Sequence, residues 1–435
     1  MKFVLFSHSV VSCWNHGNAH FQRGIVRELS ARGHEVVVLE PADGWSRTNL
    51  VAGQGPEVVA RFHETFPEIR AVCYLGPADI DPVLDGADVV IVHEWTDPAL
   101  VADLGRRRMT GARFLLLFHD THHRAVSAPH EMAALDLDGY DAVLAFGAVL
   151  AETWRRHGWG RNVHVWHEAA DLRLFGPRPD IQPDHDRDRR DLVWIGNWGD
   201  GERGAELDEF LVEPVRALAL TATIHGVRYP DPARQALARA GIDYAGWIAN
   251  ADVPRAFAGH RMTVHVPRRF YATDLPGIPT IRMFEALASG IPLVSAPWAD
   301  TEGLFRTGTD YLTAETGPRM RQQIRRILAD RDLAADLAAR GRETILARHG
   351  CNHRVDQLLK ILSGLAPHRF NSNRLDAGRF APNRLDADRS GTRRPPDEDR
   401  LLRLQHPVQL LERRRHLLSR HHPRAGSTWL AGDLL

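Results

Sequence analysis

The chain has 435 residues, enough for two or three domains, and 43% of them are apolar, the share expected of a globular protein with proper cores. Its 55 basic and 55 acidic residues cancel, so no global positive charge draws it to nucleic acid. Three widely spaced cysteines, Cys13, Cys73 and Cys351, form neither a zinc pattern nor a disulfide framework, which fits a cytoplasmic setting, and no apolar run is long enough to span a membrane.

The opening MKFVLF reads as a first strand rather than a signal peptide. A polar loop follows to residue 18, carrying His16, Gly17 and Asn18. His16 is a candidate base, since imidazole titrates near neutrality, with a plain surface loop as the alternative. Residues 19–32 have helical spacing through Ile25, Val26 and Leu29, and 35–39 form the next strand. This is a Rossmann-type opening without the G-x-G-x-x-G of nicotinamide sites. A helix is expected over 56–65, strands over 71–75 and 88–93, a helix over 97–108 and a strand over 114–118. That last strand runs into HDTHH, His119 to His123, where parallel sheets bind ligands. Three readings stay open for the cluster: a cleft site using His119 or Asp120, a metal site lacking further ligands at zinc-type spacing, or a polar loop. A strand over 141–146, a helix to His157 and a strand over 162–166 complete this half. The segment HEAAD, 167–171, then leads to a Pro-rich charged linker over 176–190.

The second half repeats the pattern. A strand over 192–196 feeds a glycine-rich loop with Gly196 and Asn197, and a helix begins near Arg203, whose planar fork suits a diphosphate. Strands follow over 221–225 and 242–247, the latter ending in Trp247, and Asp252 is a candidate cap for a helix over 253–259. After a strand over 262–266 come Arg268 and Arg269, either cleft cations or solvated loop residues.

The most informative stretch is 276–298, PGIPTIRMFEALASGIPLVSAPW. Pro276, Gly277 and Pro279 make a turn. Residues 280–289 form a helix with Ile281, Phe284, Leu287 and Ala288 on one side, Gly290 closes it, and a strand follows. The first amides, at Thr280, Ile281 and Arg282, make an anion site at the positive helix end. Glu285 shares a face with Arg282 and can accept from two vicinal ribose hydroxyls. Two helices over 317–350 and one over 355–365 end the folded part. From Ala366 the composition changes: N-R-L-D-A occurs twice, and fourteen arginines face eight acidic residues, leaving a net of −6 on the rest of the chain. We expect a disordered basic tail over 366–435, with 408–419 suited to weak peripheral membrane contact.

The stretch 276–298 resembles the donor-site signature of the GT-B glycosyltransferases of the group-one type, through Glu285, Ala286, Ala288, Gly290 and Pro292 of E-A-x-A-x-G-x-P. The family's earlier glutamate, eight residues before, is Gly277 here, as in a divergent subset related to the spore-coat CgeB proteins. The resemblance implies an α/β GT-B fold, two Rossmann-like domains facing each other across a cleft. An acceptor domain would span 1–175 and a nucleotide-sugar domain 191–365. It implies hexosyl transfer from a nucleotide-diphosphate sugar to an unknown glycan, lipid or protein hydroxyl, retaining and without a metal or other cofactor. Glu285 would hold the ribose, and Arg203 with the amides near Thr280 the diphosphate. Gly196, Asn197, Trp247, Arg268, Gly277, Ile281 and Arg282 would line the donor site. His16, Gly17, Asn18 and the His119–Asp120 pair would face the acceptor. A nucleotide-sugar epimerase and a non-catalytic binding protein are the alternatives.

Overall fold

The computed structural model describes residues 1–14, 17–180, 188–199 and 201–370. His16, the N-R-L-D-A repeats and the 408–419 stretch lie outside the described residues.

Two parallel sheets are built. The first contains β1 (Lys2–Phe6), β2 (Glu35–Pro41), β3 (Arg70–Tyr74), β4 (Val89–His93), β5 (Leu115–Asp120), β6 (Ala142–Ala145) and β7 (Val163–Val165), in the order β3-β2-β1-β4-β5-β6-β7. The second contains β8 (Arg190–Ile195), β9 (Ala222–His225), β10 (Ile242–Gly246), β11 (His260–His265), β12 (Leu293–Ser295) and β13 (Leu312–Thr313), in the order β10-β9-β8-β11-β12-β13. The central strands of the first sheet, such as β4 and β5, are near-continuous apolar runs buried on both faces, whereas the edge strands β3 and β10 are partly exposed. In each sheet the order reverses beside the first strand, between β1 and β4 and between β8 and β11, which opens a crevice at the carboxyl ends.

Local chemistry sets some of the element boundaries. Asp97 accepts from the amides of Ala99 and Leu100 and so caps the helix Pro98–Met109. Several sequence expectations change. Strand β5 runs two residues further than the apolar pattern, through His119 and Asp120. A helix, Trp45–Gln54, forms where the sequence offers no apolar stripe. Asp252 has helical backbone angles at the end of a short 3-10 turn, so its side chain makes no cap bond to the helix Val253–Ala258. Finally, the chain stays packed beyond Ala366: Phe370 is buried and its carbonyl accepts from Ser363 Oγ at 2.7 Å.

The last helix, Cys351–Leu365, begins four residues before the expected point and packs on the first half's helix Asn18–Ala31. Val355, Leu358 and Leu362 are fully buried there, and Trp166 Nε1 donates to the Arg354 carbonyl at 2.9 Å. One apolar cluster therefore joins both sheets, with Phe3, Phe21 and Trp166 from the first and Ile281, Phe284 and Leu358 from the second part of the chain. No helix among the described residues is long and apolar enough to cross a membrane.

Candidate active site

The helix Ile281–Ser289 lies at the seam between the sheets. Thr280 precedes it in extended conformation and Gly290 ends it in the left-handed region, as the sequence predicts. Gly277, in the turn before it, has φ +93°, and a Cβ there would lie 2.3 Å from Thr301 Oγ1. The turn is therefore built for glycine, and a glutamate cannot stand in its place without strain.

Glu285 is completely buried and held from both halves. Arg282 bonds it from the preceding turn, and His20 Nδ1 meets Oε1 at 2.6 Å from the first half's helix. The Asp171 amide donates to His20 Nε2 at 3.1 Å, so the imidazole proton is on Nδ1 and points at Glu285. Burial alone would raise the Glu285 carboxyl, but the Arg282 charge and His20 hold it below the ordinary range. Gly17 touches the same helix: a Cβ on it would meet Ile281 Cγ2 at 2.6 Å. Beside it, Asn18 Nδ2 donates to Glu168 Oε1 at 3.1 Å. Burial pushes the Glu168 carboxyl up to about 7; the Asn18 bond opposes this and the Glu285 charge adds to it.

A second bridge lies alongside. Glu302, after β12, accepts from the Ala148 amide at 2.8 Å and pairs with His167 Nε2 at 2.9 Å. A third joins Glu202 to Arg268 at 2.7 Å and to His123 at 3.5 Å, with His123 stacked on Phe270.

The geometry places His119 and Asp120 on opposite faces of one strand. Both residues belong to β5, where neighbours point to opposite faces. His119 is enclosed by Phe21, Trp166 and His93, and burial pushes it down to about 3. On the other face, Asp120 accepts from Trp154 Nε1 at 2.6 Å, and burial raises its carboxyl beside Glu94. The member of the HDTHH run that faces the other half is His123. Among the described residues no cluster of His, Cys, Asp or Glu is arranged to hold a metal ion.

Arg203 lies at the base of the glycine-rich loop. It is buried over the Trp194 ring and donates to the carbonyls of Asn197 and Val266, tying together the carboxyl ends of β8 and β11. Asn197 Oδ1 accepts from the Val227 amide, and the Gly196 carbonyl accepts from Tyr229. These residues shape the glycine-rich loop. Trp247 is half-buried in a cavity shared with Cys13 and Arg23 of the first half. His20, Glu168, His167 and Glu302 carry no local motif; long-range folding alone brings them to the seam.

Two parallel sheets, joined by a helix that crosses back and lined at the seam by a Gly turn and an Arg–Glu helix, make up the GT-B fold. Two family models agree. Residues 203–360 match the model described as glycosyl transferase-like, and residues 20–174 match glycosyltransferase family 4. The chain belongs to the GT-B glycosyltransferases. Similar solved structures include Anabaena Alr3699/HepE in complex with UDP-glucose, at 16% identity and a TM-score of 0.61 over 84% of this chain and 100% of that one. Sucrose-phosphate synthase from Thermosynechococcus elongatus matches at 16% identity and 0.58, over 84% and 100%. An alpha-glucosyltransferase in complex with UDP and a 13-mer DNA matches at 12% and 0.60, over 83% and 99%. No curated protein matches the sequence significantly.

Proposed function

We propose that this glycosyltransferase moves a hexosyl group from a nucleotide-diphosphate sugar to an acceptor hydroxyl with retention of configuration and without a metal. The observation that carries the reading is the helix Ile281–Ser289 with its Gly277 turn, placed at the seam of the two sheets. The amides at its start and Arg282 would receive the diphosphate, and Glu285 the ribose diol. Gly17 and Asn18 would meet the acceptor from the opposite half. In the transfer, the acceptor oxygen bonds the anomeric carbon on the face from which the diphosphate leaves, the bond to the diphosphate breaks with its electron pair going to the phosphate, and the hydroxyl proton passes to the departing phosphate oxygen. Preorganised donors aimed at that developing charge would be the main catalytic device. Solved relatives in this fold hold UDP or UDP-glucose, which makes uridine the first base to test.

The test is a thermal-shift screen of the full chain against UDP, GDP and ADP and their sugar conjugates. A ligand at a hundred times its Kd should stabilise by about 2.7 kcal/mol. No shift with any of them would remove the donor-site assignment. For the active pair, EDTA should leave the rate unchanged, and NMR of the product should show the donor's anomeric configuration.

A further inference from the structure

In this structure the carboxylate assigned above to the ribose is closed off. The Glu285 and His20 side chains are both wholly buried against each other, so no room remains beside that carboxylate for a diol. Resting on the donor-site reading above, we infer that His20 is a positioning residue of the donor site, supplied by the acceptor half, which occupies Glu285 until a nucleotide displaces it.

Three features support this assignment. First, His20 is fixed on its own side of the seam. Its Nε2 accepts from the Asp171 amide, and its ring stacks on Phe175 at 4.2 Å and 28°. The ring is thus held to the segment that follows β7, and the His20 bond opens when helix Ile281–Ser289 moves relative to helix Asn18–Ala31. Second, the contact presents an N–H donor to Oε1, the kind of partner that a ribose hydroxyl would replace. Third, Arg282 travels with Glu285 on one helix, so the carboxylate stays paired when His20 withdraws. The exchange is one of hydrogen-bond donors on one carboxylate, and it links nucleotide entry to the separation of the halves. Whatever free energy holds the His20 bond is subtracted from nucleotide binding.

Calorimetric titration of the full chain with the nucleoside diphosphate selected from UDP, GDP and ADP tests this. His20→Ala should bind it about tenfold more tightly than the parent, the size of one hydrogen bond to a charged group. His20→Asn, whose amide can still donate to Glu285, should stay close to the parent. Glu285→Ala should lose tenfold or more. Equal or weaker binding by His20→Ala, alongside a loss in Glu285→Ala, overturns the role of His20 and leaves the donor site standing. Parent-like binding by Glu285→Ala overturns the donor site itself. A crystal structure of the unmodified chain with the nucleotide gives an answer independent of any variant. The ribose hydroxyls should be on Glu285 and His20 Nδ1 beyond bonding distance. A ribose on Glu285 with the His20 bond intact overturns the inference.

Discussion

Glu168 and His119 sit about equally deep, yet burial acts on them with opposite signs. A buried carboxyl resists losing its proton and a buried imidazole resists gaining one. The Glu168 carboxyl, pushed up to about 7 from an ordinary 4.5, binds a proton in the native state that the unfolded chain has released. Its contribution to stability is whole at low pH and falls as pH rises between those two values, by about 3 kcal/mol. His119, pushed down to about 3 from 6.5, refuses a proton that the unfolded chain takes, so its share falls as pH drops through that range. Comparison with Glu168→Gln isolates the first effect, since the amide oxygen still accepts from Asn18. Urea unfolding at pH 5 and pH 8 should find the variant gaining on the parent by about 2–3 kcal/mol at the higher pH. Parallel stabilities at both pH values would show that Glu168 titrates normally.

At the scale of single elements, the turn before helix Ile281–Ser289 fixes what residue 277 can be. Gly277 is left-handed and crowded by Thr301. Restoring the motif's glutamate with Gly277→Glu should cost about 1–3 kcal/mol in chemical denaturation and should not raise turnover. A stable, more active variant would mean that the turn rearranges freely. The same helix shows why parts of the chain are legible. Its apolar stripe, Gly cap and Pro-Gly turn are local signals, and the structure places the element within a residue of the expectation. Strand β5 was less legible, because His119 and Asp120 are polar and hide their place in a buried ladder. A strand's alternation then separates two residues that adjoin in sequence. The helix Trp45–Gln54 buries only Ser46 and Leu50, so no periodic pattern announces it. The partners of Glu285 were the least legible. His20 lies 265 positions away, and on its own helix it reads as one more buried side chain.

The whole molecule is held by contacts that ignore the linker. The shared apolar cluster, the three polar bridges at the seam and the Trp166–Arg354 bond all join residues from the two sheets or their covering helices. Burying a side chain such as Leu358 or Leu362 stabilises by roughly 1.5–3 kcal/mol. Ending the chain at Gly350 removes several of these from the first half's surface. Such a truncation should lower the Tm by more than 10 °C or fail to fold, and calorimetry of the full chain should give one transition rather than two. Two well-separated transitions, or an unchanged Tm after truncation, would show that the halves are energetically independent.

The crossing helix also sets an order of events during synthesis. A ribosome releases β1 to β7 and their helices well before residues 351–365 leave the exit tunnel. Until then the face of helix Asn18–Ala31 that receives Val355 and Leu358 has no cover, and Trp166 lacks its acceptor. The nascent amino-terminal half therefore carries an uncovered apolar face until the carboxyl-terminal half is translated. Expressed separately, the first half would lack the partner that completes it.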